Sequence, residues 1–148
     1  MSITLLLDNA TRKYADRIAL EDDTRSFSYK DFINRVDKFG QALLACGLMP
    51  GETIACLTNN SIELVEFDAA AARFGFIRTM LNARGSQEDH EYCLNFASAK
   101  ALMFEEKMLE HVSIMRDQLE HVKLFICVGG KTAWALNYCL LYTSDAAD

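Results

Sequence analysis

The chain has 148 residues, 51% of them apolar, and a formal net charge of −6. That size suits one domain or the first piece of a larger one, and the apolar content supports a core and excludes a disordered segment. The acidic balance, with no cluster of Lys and Arg, excludes the localised basic footprint that nucleic-acid binding requires.

No apolar run approaches the ~20 residues of a membrane-spanning helix. The start, Met1-Ser2-Ile3-Thr4-Leu5-Leu6-Leu7-Asp8, lacks a basic segment and reaches a charge too soon for a secretion signal. Five cysteines (Cys46, Cys56, Cys93, Cys127, Cys139) form no C-x-x-C pair, which fits reduced thiols in a cytoplasmic protein better than a disulfide framework or zinc site.

In chain order, residues 5–14 form a helix capped by Thr4, and residues 18–22 and 26–29 a hairpin turning at Asp22-Asp23-Thr24. Ser28 with Asp31 marks the next helix start, whose apolar stripe is Phe32, Val36, Phe39 and Leu43, widened by Ile33, Gly40 and Leu44. Gly47 supplies the left-handed turn after Cys46, and Pro50-Gly51 redirects the chain.

Strands then alternate with helices: strands at 53–57, 76–81, 101–104 and 124–128, helices at 62–74, from Ser86 through Phe96, and at 105–119. Such alternation predicts an α/β fold with a mainly parallel sheet and helices on its faces. Ile54, Cys56, Ile77, Leu102, Phe104, Phe125 and Ile126 are expected to be largely buried in it. Met103, Met108 and Met115 read as core filler.

Few residues point to chemistry. Val128-Gly129-Gly130-Lys131-Thr132 imitates a phosphate loop, but the pattern needs a glycine where Phe125 stands inside the strand, so it reads as a turn. Asn59-Asn60-Ser61 lies where a strand ends and a helix begins; a helix cap explains these residues, and an anion at the helix N-terminus is the rival explanation. His90, His111 and His121 have no ligand spacing and are expected on the surface. Glu105-Glu106 suits the start of a helix, where the dipole favours acid. No catalytic, cofactor-binding or metal-ligating residue can be assigned from spacing.

The order of short motifs resembles a known family. Ser28-Tyr29-Lys30-Asp31-Phe32, then Gly47-Leu48-Met49-Pro50-Gly51-Glu52-Thr53-Ile54-Ala55, is similar to the opening of adenylate-forming enzymes. Asn60-Ser61-Ile62-Glu63 resembles that family's N-S-x-E, and Gly75 through Arg84 its G-x-x-x-x-P-L-N-x-R, with Met80 at the proline position. Arg78 to Arg84 is most similar to the fatty-acyl and aryl-CoA synthetase branch. The resemblance implies the incomplete N-terminal subdomain of an AMP-dependent ligase. Its parent would activate a carboxylic acid with ATP and Mg²⁺ and pass the acyl group to coenzyme A. The phosphate loop, ribose-binding aspartate, hinge and catalytic lysine of the family have no counterpart here, so no catalytic role is transferred and the chain alone is expected to be inactive. A nonribosomal-peptide adenylation domain or luciferase-like oxidase is the neighbouring alternative. A self-contained flavodoxin-like binding or regulatory domain is the alternative from another class.

Residues 139–148 (CLLYTSDAAD) resemble a translated sequencing adapter, because one reading frame of a transposase end used in library preparation encodes this decapeptide. Residues 1–138 are accordingly expected to be a partial AMP-binding domain and 139–148 an artefact. Leu140, Leu141 and Tyr142 in such a tail would have no packing partner.

Overall fold

A computed structural model describes residues 2–143, so residues 144–148 of the tail lie outside it. The first helix, α1 (Ile3–Tyr14), is capped by Ser2, whose hydroxyl accepts from the Leu5 N–H at 3.2 Å. The cap is therefore Ser2 and not Thr4: Ser2 has the extended backbone that a cap requires, and Thr4 lies inside the first turn. Strands β1 (Ile18–Glu21) and β2 (Ser26–Ser28) form the expected antiparallel hairpin. Its turn is fixed by the Asp22 carboxylate, which accepts from the backbone N–H groups of Thr24 at 2.9 Å and Arg25 at 2.7 Å.

Ser28 caps α2 (Tyr29–Ala45), which buries Phe32, Val36, Phe39 and Leu43, the apolar stripe at helical spacing. Gly47 follows with φ +90, the left-handed geometry that lets the chain leave the helix. Next come β3 (Thr53–Leu57), α3 (Ile62–Phe74), β4 (Ile77–Met80), α4 (Gln87–Phe96) and β5 (Ala101–Glu105). Ser86 and Asp89 form a reciprocal capping box at the start of α4. The chain continues through α5 (Leu109–Met115), β6 (Leu124–Val128), β7 (Leu136–Asn137) and α6 (Tyr138–Thr143).

The five later strands form one parallel sheet in the order β4-β3-β5-β6-β7. Because side chains alternate across a strand, each central strand feeds two cores. Ile54, Cys56, Met103 and Ile126 face one layer with α2, α3 and α6 residues. Ala55, Leu57, Leu102, Phe104 and Cys127 face the other, with Leu94 of α4 and Val112 and Met115 of α5.

Further expectations need correction. Ile77 is 56% exposed, because β4 is the outermost strand and pairs with β3 alone. Phe125 is half-buried, edge-on to Trp134 at 5.5 Å between ring centroids. The long helix over 105–119 does not form. Glu105 still belongs to β5 in register with Val128, and two short 3₁₀ turns, Glu106–Met108 and Arg116–Gln118, flank a helix of only seven residues. The chain beyond the second 3₁₀ turn is held by Asn95 of α4, whose side chain donates to the Gln118 carbonyl at 3.1 Å and accepts from the Glu120 N–H at 2.9 Å. Finally, Leu141 and Tyr142 do find partners. Leu141 is buried, and the Tyr142 ring lies 3.9 Å from the Arg35 guanidinium carbon; Leu140 alone of the three stands exposed.

Candidate functional site

In a parallel sheet, the chain leaves adjacent strands on opposite faces where the strand order reverses, and the resulting crevice lies beyond the carboxyl ends of the strands. Here β3 leads through α3 to β4 on one side, while β5 lies on the other side of β3. The reversal thus falls between β3 and β5, and the strand order matches that of flavodoxin-like sheets. A crevice of about 260 Å³ occupies this place, lined by Thr58, Ser61, Glu63, Glu105, Glu106, Lys107, Val128 and Gly129.

Each wall has a local cause. Asn59 leaves β3 and is held by Glu105, which accepts from its backbone N–H at 3.0 Å and from its side-chain amide. Ser61 caps α3, its hydroxyl accepting from the Leu64 N–H at 3.2 Å. Of the two explanations for Asn59-Asn60-Ser61, the cap is the one the geometry displays. Glu63 is 6% exposed and is paired with Arg25 of the hairpin turn, which also holds Asp22 at 2.7 Å. Burial pushes the Glu63 carboxyl up, but the Arg25 hydrogen bond, a backbone hydrogen bond and the charges of Arg25 and Arg35 together outweigh it, and the net shift is downward.

On the β6 side, Gly129 turns the chain with φ +87. A Cβ at Gly130 would lie 2.9 Å from Glu106 Cγ and 3.2 Å from Cys127 Sγ. These glycines let the loop pack against Glu106; they do not open a cradle of N–H groups. Phe125 lies within β6, where the missing glycine of a phosphate loop would have to be. With three carboxylates along the crevice and this closed loop, the described residues do not fit a triphosphate.

Two clusters escaped the sequence reading. Arg35 and Glu66 form a salt bridge between α2 and α3, and the Tyr138 hydroxyl donates to the same carboxylate. Burial and the adjacent Glu66 carboxylate push the Tyr138 hydroxyl well above its ordinary value. The signal was spacing: Arg35 lies between Phe32 and Phe39 on the buried stripe of α2, and Glu66 between Ile62 and Ala70 on that of α3. His90 is the second miss. It is 2% exposed, not on the surface, because it lies four residues before Leu94 on the covered face of α4 and meets His111 of α5. Cys56 and Cys127 are buried, and burial pushes both thiols up, Cys56 to about 12.

With the crevice and its layers defined, the class of protein follows. A family model described as AMP-binding enzyme matches residues 7–139, and the chain belongs to that family. A 3-methylmercaptopropionyl-CoA ligase of Ruegeria lacuscaerulensis is 31% identical over 139 residues, covering 90% of this chain and 26% of that ligase. Malpibaldin synthetase of Mortierella alpina is 24% identical over 109 residues, covering 74% of this chain and 2% of that protein. Among solved structures, an anthranilate CoA ligase in complex with anthranoyl-AMP superposes with a TM-score of 0.89 at 21% identity, covering 96% of this chain and 28% of that one. The chain thus spans about a quarter of the length of the CoA ligases it matches. Among the described residues, no helix is long and apolar enough to cross a membrane.

Proposed function

We propose that this chain supplies the N-terminal part of an ATP-dependent acid–thiol ligase, which activates a small carboxylic acid as its acyl-AMP and transfers the acyl group to coenzyme A. The 31% identity over nine-tenths of the chain to a CoA ligase carries this reading. ATP, Mg²⁺ and coenzyme A belong to the whole ligase, in a cytoplasmic setting that the reduced-thiol composition favours. The crevice between β3 and β5 forms a wall of the larger enzyme, and the groups that neutralise phosphate charge come from elsewhere. Acyl-AMP formation depends on positioning and electrostatic stabilisation, so the 148-residue chain alone has no acid-dependent ATP–pyrophosphate exchange. In the same reading residues 1–138 are the ligase portion and residues 139–148 are foreign, which sequencing of the unamplified source locus checks.

The test replaces the matching quarter of the Ruegeria ligase with residues 1–138 and measures thioester formation with coenzyme A. A folded chimera that forms acyl-AMP and thioester supports the reading; one that folds and forms neither overturns it. Exchange activity in the isolated chain, lost on disrupting the sheet, would overturn the assignment of inactivity. The match to malpibaldin synthetase supports a second reading, a peptide-synthetase adenylation domain whose thiol acceptor is a carrier domain. A carrier domain encoded downstream at the source locus would favour it.

A further inference from the structure

We propose that His90 and His111 form an acid-sensitive latch that ties α4 to α5 and to the turn at residues 82–85, and that opens when both rings are protonated. The Asn82 carbonyl oxygen accepts from the Gly85 N–H at 2.8 Å and lies 2.7 Å from His90 Nε2. A carbonyl only accepts, so Nε2 of His90 carries a proton and the neutral ring has a bare Nδ1. That nitrogen lies 2.8 Å from His111 Nε2, so His111 donates to it. One backbone oxygen thereby sets the proton positions of both rings. A Cβ at Gly85 would lie 2.6 Å from His90 Nε2 and 3.1 Å from the Asn82 oxygen, so a side chain there would displace the ring from its anchor.

A first extra proton goes to His111 Nδ1, the ring nitrogen that takes no part in these bonds. His111 then still donates through Nε2, and the latch stays closed. A second proton has only His90 Nδ1 left, which sets two N–H groups against each other at 2.8 Å. Neither accepts, so the rings part. His90 is 2% exposed, and a buried cation without a partner is costly, so α5 must move to bring it water. Burial, and then the neighbouring His90, hold His111 below its ordinary 6.5. A depressed folded value means that this contribution is full above about 6.5 and is lost as the pH falls below it. The charged side chains on the packed segments are Arg84 of the turn, Glu88, Asp89 and Glu91 of α4, and Glu110 of α5. Asp89 is committed to the capping box, and Tyr92 and Cys93 of α4 are exposed. Among the described residues, none of the five charged groups has a hydrogen bond or ion pair to either ring, so no carboxylate offsets the second proton. The turn follows β4 at the carboxyl edge of the sheet, the edge that carries the crevice, so opening the latch loosens the fold on that side.

The test follows ring tautomers and amide exchange in the 148-residue chain. At neutral pH the imidazole ¹⁵N resonances should show His90 and His111 both protonated at Nε2. Between about pH 7.5 and about pH 5.5, above the ordinary carboxylate range, exchange of the α5 amides should rise once the intrinsic pH dependence is removed. The rise should be about tenfold, the change that one unsatisfied buried donor produces. His111→Gln should abolish it, because a side-chain amide offers His90 either its NH₂ or its oxygen and satisfies the ring in both protonation states. His121→Gln should leave the rise in place. A neutral His90 protonated at Nδ1, or the same rise in His111→Gln, would overturn the latch. If His111→Gln does not fold, the unaltered chain decides: protonation of His90 in step with faster α5 exchange supports the latch, and protonation of His90 with α5 exchange unchanged overturns it.

Discussion

The Glu66 carboxylate, with no solvent exposure, is held by the Arg35 guanidinium across the contact between α2 and α3. Arg35 is itself sandwiched between the rings of Phe27 and Tyr142, 4.5 and 3.9 Å from their centroids. Removing one member of a buried pair leaves an uncompensated charge, which costs more than the pair contributes net. Glu66→Leu and Arg35→Met are each expected to destabilise by about 3–5 kcal/mol. The double substitution should recover most of that loss, and a denaturant-unfolding double-mutant cycle reads the coupling. Additive losses would show that the two charges do not depend on each other.

Asp22 yields a pH prediction with a definite sign. The Thr24 backbone N–H, then the Arg25 side chain, hold its carboxyl down at about 2 from an ordinary 3.8. A depressed folded value means that this contribution is present above about 3.8 and is lost as the pH falls through about 2. Asp22→Asn should flatten stability against pH between these two values, measured by denaturant unfolding at each pH. A slope unchanged in the variant would assign the acid sensitivity to other carboxylates.

Periodicity made the sheet legible. A strand and its crossover helix recur at a nearly constant interval, and the apolar runs at Ile54, Leu102 and Ile126 mark buried strands whatever their neighbours are. Ile77 was misjudged for a matching reason: an apolar strand residue is buried only if its strand is central, and strand order is a long-range property that no local pattern carries. The polar clusters were half legible. Arg35, Glu66 and His90 stand at helical spacing among buried residues, so their burial was readable. Their partners, 31 and 21 residues away, required the fold. The crevice followed from strand order alone, which is why no single motif announced it.

Gly40 makes a close helix contact that sets two effects against each other. A Cβ there would lie 2.1 Å from ring carbons of Phe74, so either that ring or α3 must shift. Replacing glycine by alanine within a helix gains about 1 kcal/mol in propensity. Overpacking costs about 1–3 kcal/mol, so the net effect of Gly40→Ala is a loss of stability. The denaturation midpoint should fall, and Gly40→Ala combined with Phe74→Leu should recover part of the loss. A higher midpoint for Gly40→Ala alone would mean that the Phe74 ring swings aside at little cost.

The outer face of α4 carries Tyr92 and Phe96, 67% and 80% exposed, stacked on each other with centroids 5.8 Å apart. Large apolar groups exposed together promote association, and at this position they contribute little to the fold because few neighbours cover them. The short edge strand β7, two residues long, offers less surface for strand pairing than this aromatic pair offers for stacking. Phe96→Lys should therefore leave thermal stability within about 0.5 kcal/mol, the usual range for exposed positions. It should also reduce hydrophobic-dye binding and concentration-dependent light scattering of the chain. The replacement adds a cation near Glu88 and Glu91, which line the shallow groove beside the pair, so no like-charge repulsion is introduced. Unchanged scattering in Phe96→Lys would point to a different exposed apolar surface, of which Ile77 and Met80 on the edge strand β4 are one. A double substitution there, Ile77→Thr with Met80→Lys, separates the two sources: scattering lost only in that variant makes edge pairing, and not aromatic stacking, the route to association.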